Sequence, residues 1–235
     1  MADLLQAKEI KDRLRSLIEE ADSIDPSLAR RLEEINRWVK DIKTGSLTAK
    51  RFVLLFLQQI IRDSQILLAL KTLDSEEERK LYYDRMTPTE KYWYGYLFPK
   101  WLNESDTKFY IWKKKLMAGE FYHEDAGIIK AIATEIIRRQ GTFWYCYVAD
   151  FSMGTDIIAS SRLAKPLCIQ LTTVSDEFSQ EKSQHWENTM KNWGIERGLF
   201  LSFNPTDTNF VNQIVNVLLY NSDQLRTGVY LKFSL

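Results

Sequence analysis

The sequence predicts an α/β protein: an all-helical first half, then an α/β/α core with a mixed sheet. Three observations carry that expectation. Up to about residue 118, apolar residues recur at three- and four-residue spacing, the period of a helix face. Beyond Gly141 the runs become short and rich in β-formers, as in Phe143-Trp144-Tyr145-Cys146-Tyr147-Val148. Near the C-terminus a strand–helix–strand step demands a parallel crossover, hence a mixed sheet covered on both faces. The expected division is a helical region over 1–118 and a core over 119–235. Only nine glycines occur and no Gly/Ser-rich linker is present, so the two parts are expected to pack together rather than be tethered.

Residues 1–43 read as two helices. Leu5, Ile10, Leu14, Leu17, Ile18 and Ala21 form the apolar stripe of the first. Asp25 caps the second, with Pro26 at its first helical position and Leu28, Leu32, Ile35, Val39 and Ile42 as its stripe. Lys43-Thr44-Gly45-Ser46 is a break. Ser46 or Thr48 then caps a long third helix carrying Phe52, Leu55, Phe56, Ile60 and Ile61. Ser75 opens Glu76-Glu77-Glu78-Arg79-Lys80, a solvated helix face. Thr87-Pro88-Thr89-Glu90 combines a Thr cap, Pro at the first position and Glu at the third, and starts a densely aromatic helix over Tyr92–Trp101.

In the second half, Ile128–Arg139 is a helix with Ile129, Ile132, Ile136 and Ile137 on or near one face, ended by Gly141. Strands are expected over Thr142–Ala149, over Ile157–Ala159 after the Gly154-Thr155-Asp156 turn, over Leu167–Thr172 and over Gly198–Phe203. A helix over Glu177–Trp193, with Phe178, Trp186, Met190 and Trp193 apolar, separates the last two strands. A final amphipathic helix covers Asp207–Tyr220. The order α-β-β-β-α-β-α predicts a four-stranded mixed sheet.

Composition narrows the function. Apolar residues make up 45% of the 235, too many for a disordered chain. Net charge is zero, so nucleic-acid binding needs a local patch. Lys113, Lys114 and Lys115, near Lys108 and interleaved with Tyr110 and Trp112, either form such a patch or are simply the exposed face of an amphipathic helix. Cys146 and Cys168 sit in apolar runs and read as small buried hydrophobes. His123 and His185 are far apart and no CxxC occurs, which argues against structural zinc. The first residues lack a signal-peptide pattern, and the longest apolar stretches are broken by Gln, Arg and Asp. A soluble, cytoplasmic protein without a membrane span is expected.

Three polar positions stand out. Glu135 lies in the helix before the strands, Asp156 opens the second strand, and Gln170-Leu171-Thr172 ends the third. Gln170 and Thr172 are two apart and share a face of their strand. In this order and at these positions, residues 127–220 resemble the PD-(D/E)XK, or restriction-endonuclease-like, nuclease superfamily. The resemblance implies a restriction-endonuclease-like α/β/α core and hydrolysis of DNA or RNA phosphodiesters with Mg²⁺ or Mn²⁺. Such ions activate a water and neutralise developing charge when two or three oxygens hold them. Glu135, Asp156 and Gln170 would be the metal ligands. Asp156, Gln170 and Lys182 would be catalytic, with Lys182 replacing the Lys that the family carries where this chain has Thr172. Gln170 also departs from the acid usual at its place. The alternative is a nuclease-like core retained without catalysis to bind nucleic acid or protein, with the helical region as a surface for a homodimer or a protein partner.

Overall fold

The computed structural model describes residues 7–119, 123–173 and 176–235, and their side chains other than those of 44, 123–126 and 176–179. Leu5 and the side chain of Phe178, both assigned above to apolar stripes, lie outside what is described. The helices of the first half are α1 (Ala7–Ile24), α2 (Pro26–Lys40), α3 (Thr44–Thr48), α4 (Arg51–Lys71), α5 (Glu76–Asp84), α6 (Pro88–Tyr92), α7 (Phe98–Asn103) and α8 (Phe109–Ala118), with a π-helical turn at Trp93–Leu97. There follow α9 (His123–Arg138), β1 (Thr142–Trp144), α10 (Tyr147–Met153), β2 (Ile157–Ser160), β3 (Leu167–Thr172), α11 (Asp176–Asn192), β4 (Arg197–Ser202), α12 (Phe210–Gln224) and β5 (Val229–Ser234). The chain forms two compact units: Met1–Arg85 with Tyr96–Phe121, and Met86–Gly95 with Tyr122–Leu235.

The first unit is helical. Asp25 caps α2 as its sequence predicts, accepting from Ser27 N and Leu28 N, and also pairs with Lys71 at 2.7 Å. Ser75 and Glu78 form a reciprocal capping box on α5. The start of α4 differs from expectation: Thr44–Thr48 is itself a short helix, and α4 begins at Arg51 without a side-chain cap. By length and composition α4 could cross a membrane, but 61% of its most apolar window is buried. It packs on α1, α3 and α8. Two buried charges organise the aromatic residues. Asp106 accepts from Trp101 Nε1 at 3.0 Å, Trp112 Nε1 at 3.1 Å and Lys108 N at 3.0 Å. Arg31 lies 4.6 Å over the Trp101 ring and donates to the carbonyls of Trp101 and Glu104. Each indole thus buries its ring while satisfying its N–H.

The second unit holds a five-stranded mixed sheet in the order β1-β2-β3-β4-β5. The first two pairings are antiparallel and the last two parallel. One face buries Ile157, Ala159, Leu167, Ile169, Leu199 and Leu201 against Ile132 and Ile136 of α9 and Ile214, Val215 and Leu218 of α12. At about 1.5–3 kcal/mol per fully buried large aliphatic side chain, this layer supplies much of the unit's hydrophobic stabilisation. The other face carries α11: the Trp186 ring packs on Phe200 at 5.6 Å and Tyr230 at 6.0 Å. Thr87 and Glu90 cap α6 reciprocally, as expected.

Three sequence expectations need correction here. The first strand stops at Trp144 instead of running to Ala149. Cys146 Sγ accepts from Ala149 N and caps α10, so local capping outweighs the β-propensity of Tyr147 and Val148. Ile137 is 63% exposed, because it sits about 100° around α9 from buried Ile136. The sheet has five strands, the fifth being Val229–Ser234.

Candidate functional site

The site begins at Gly154, whose left-handed backbone (φ +63°) ends α10 and turns the chain into β2. Pairing of Ile157 with Ile169 then brings Asp156, just outside β2, level with Gln170 on β3. Asp156 Oδ2 accepts from Gln170 Nε2 at 2.6 Å and from Leu171 N at 2.6 Å. Both are charge-assisted hydrogen bonds, of a kind that contributes about 1.5–3 kcal/mol. Gln170 Oε1 points the other way: a Cβ built on Gly154 would lie 3.6 Å from it and 3.4 Å from Trp186 Cδ1. Trp186 is buried, and its Nε1 has no hydrogen-bond partner among the described residues.

The remaining predicted residues do not join this pair. Gln170 shares its side of β3 with Cys168 and Thr172, on the face covered by α11. Glu135 belongs to α9, which covers the opposite face. Its carboxylate is bound by Arg138 at 2.6–2.7 Å and by Arg139 at 2.6 Å, and Arg139 continues to Asn212 and Asn216 of α12. Hydrogen bonds from Arg138 and Arg139 hold the Glu135 carboxyl at about 2, well below the usual range. Glu135 is therefore an interhelical linker, not a partner of Asp156. Lys182 lies on α11, whose buried positions among the described side chains are Ser183, Trp186, Thr189 and Met190; its own side chain is exposed and bonds neither Asp156 nor Gln170.

Among the described residues, no three His, Cys, Asp or Glu side chains are placed to hold one metal ion. The Asp156 carboxylate faces an amide N–H, whereas Mg²⁺ needs oxygen ligands.

Lys113, Lys114 and Lys115 lie on α8, which buries Phe109, Trp112 and Leu116 and exposes Tyr110 and Ile111. Lys114 Nζ is 4.2 Å and Lys113 Nζ 5.5 Å from the Tyr110 ring centre. The Lys114 hydrogen bond lowers the pKa of the Tyr110 hydroxyl. Trp144 packs on Tyr94 at 5.7 Å, and Tyr147 on Tyr145 and Phe151.

Comparison with protein-family models, with curated proteins and with solved structures returns no match. Lys165, Arg197 and Arg226, far apart along the chain, line a common cleft at the other end of β3.

Proposed function

We propose that this protein binds nucleic acid through the α8 face of its helical unit and does not cut it, the second unit being a nuclease-like core whose catalytic aspartate position has become structural. The observation that carries the reading is the double acceptance by Asp156 Oδ2 from Gln170 Nε2 and Leu171 N. A carboxylate so bound ties the entry of β2 to β3. The meander of β1, β2 and β3 followed by parallel β4 supports the likeness to the PD-(D/E)XK core. The α8 face supports the binding role, because an exposed Tyr flanked by ammonium groups offers both a stacking surface and phosphate contacts.

Fluorescence anisotropy with single-stranded DNA and RNA at several salt concentrations tests it. Replacing Lys113, Lys114 and Lys115 together by Ala should lower the slope of log affinity against log salt by about 2, at about 0.7 per phosphate contact. Tyr110→Ala should cost about 1–3 kcal/mol if a base stacks there. Unchanged binding in both variants would overturn the α8 assignment.

A second reading, a Mg²⁺- or Mn²⁺-dependent endonuclease, is favoured by the same meeting of Asp156 and Gln170. Turning the Gln170 carboxamide end for end would set its oxygen beside the carboxylate. That reading expects cleavage that Asp156→Asn abolishes.

A further inference from the structure

A cleft of about 670 Å³ opens in the second unit, at the end of the sheet away from Asp156. Its lining includes Tyr92, Lys165, Glu196, Arg197, Arg226 and Thr227, three cations against one carboxylate. Arg197 opens β4 and is fully engaged by backbone carbonyls. Its Nε donates to Leu225 O at 3.0 Å, its Nη1 to Pro166 O at 3.0 Å, and its Nη2 to Ser222 O and, at 3.5 Å, Asn221 O. It thereby offsets the negative end of α12. It also fixes Pro166 and Leu225, the chain neighbours of Lys165 and Arg226. Ser222 Oγ holds the Lys165 carbonyl at 2.8 Å as well.

Lys165 and Arg226 are themselves exposed, and their side chains have no hydrogen bond or ion pair among the described residues. Both residues line the cleft, where an anion would offset their like charges. Beside Lys165, Ala164 adopts φ +56°, a conformation unfavourable for a residue with a side chain. Ala164 N donates to Ser161 O at 3.2 Å, closing the turn that carries Lys165 to the cleft.

We propose that this cleft binds a phosphate monoester, with the Arg226 fork taking two of its oxygens and Lys165 supplying a point charge. The volume falls within the range of small-molecule sites, about 300–1,000 Å³. The phosphate can belong to a free nucleotide or to the 5′ end of a strand. The proposal is independent of the α8 reading.

Isothermal titration at pH 7.5 with inorganic phosphate, AMP, and a tetranucleotide with or without a 5′-phosphate tests it. At least one phosphate-monoester probe should bind saturably, and Lys165→Ala and Arg226→Ala should each weaken that binding at least about tenfold, the equivalent of about 1.4 kcal/mol. Both residues are exposed, so melting curves should be unchanged. Lys182→Ala, removing a cation elsewhere, should bind as wild type does. A preference for AMP identifies a free nucleotide, and a preference for the phosphorylated tetranucleotide over its unphosphorylated form identifies a strand end. No saturable binding of any probe, equal binding by the cleft variants, or equal weakening in Lys182→Ala would overturn the proposal.

Discussion

Asp156 and Gln170 meet at 2.6 Å with the nitrogen, not the oxygen, of the carboxamide turned toward the acid. The same carboxylate oxygen holds the Leu171 amide. Asp156 thus clamps the entry of β2 to β3.

Removing the clamp should show in stability. Asp156→Ala leaves two N–H groups without their acceptor and should cost about 3 kcal/mol or more, at about 1.5–3 kcal/mol for each charge-assisted bond. Asp156→Asn keeps one oxygen and should cost less. Urea unfolding checks both through the midpoint at constant slope. An unchanged midpoint for Asp156→Ala would remove the clamp from the account.

Gly198→Ala should destabilise the second unit. A Cβ there would lie 2.8 and 2.9 Å from Trp186 Cζ2 and Cη2, and 3.2 Å from Tyr230 Cδ1. Both neighbours are rigid rings, so overpacking of about 1–3 kcal/mol is expected. Thermal melting measures it, with loss of near-ultraviolet signal from the displaced Trp186.

Asp106→Ala should be among the most damaging single changes in the helical unit. Two buried indole N–H groups and the Lys108 amide lose their common acceptor. At about 1 kcal/mol or more for each, the loss is about 3 kcal/mol. Asp106→Asn, retaining an acceptor oxygen, should recover part of it in the same denaturation experiment.

The Glu135 pairing predicts a pH signature. Its folded pKa is depressed from 4.5 to about 2, so its stabilisation is present above pH 4.5 and is lost as pH falls toward 2. Glu135→Gln should therefore melt below wild type at neutral pH, and the gap should close between pH 4.5 and 2. A gap that stays constant across that window would contradict the ion-pair assignment.

The parts legible in the sequence were those set by local chemistry. Asp25-Pro26, Ser75 with Glu78, and Thr87-Pro88 with Glu90 each announce a helix start, because a cap involves residues at most three apart. The apolar runs at Leu167–Thr172 and Gly198–Phe203 mark buried parallel strands, since a strand covered on both faces needs little polar alternation. Residues 145–149 misled because aromatic and β-branched content speaks for strand, while a cysteine cap is a weak sequence signal.

For the site, the Asp156–Gln170 meeting was legible from order alone. The exclusion of Glu135 was not: which side of the sheet a helix covers depends on chain crossover, and Arg138 and Arg139 compete for its carboxylate. The Arg197 cleft was invisible for a similar reason. Its residues stand at three separate strand entries, brought together only by the parallel order β3-β4-β5.

Whether Asp156 holds the sheet instead of a catalytic ion is read by incubating wild-type protein with mixed single- and double-stranded DNA and RNA in Mg²⁺ or Mn²⁺ and resolving the products. Intact substrates are expected with wild type and with Asp156→Asn alike. Divalent-ion-dependent cleavage by wild type that disappears in a folded Asp156→Asn variant would contradict the structural role of Asp156.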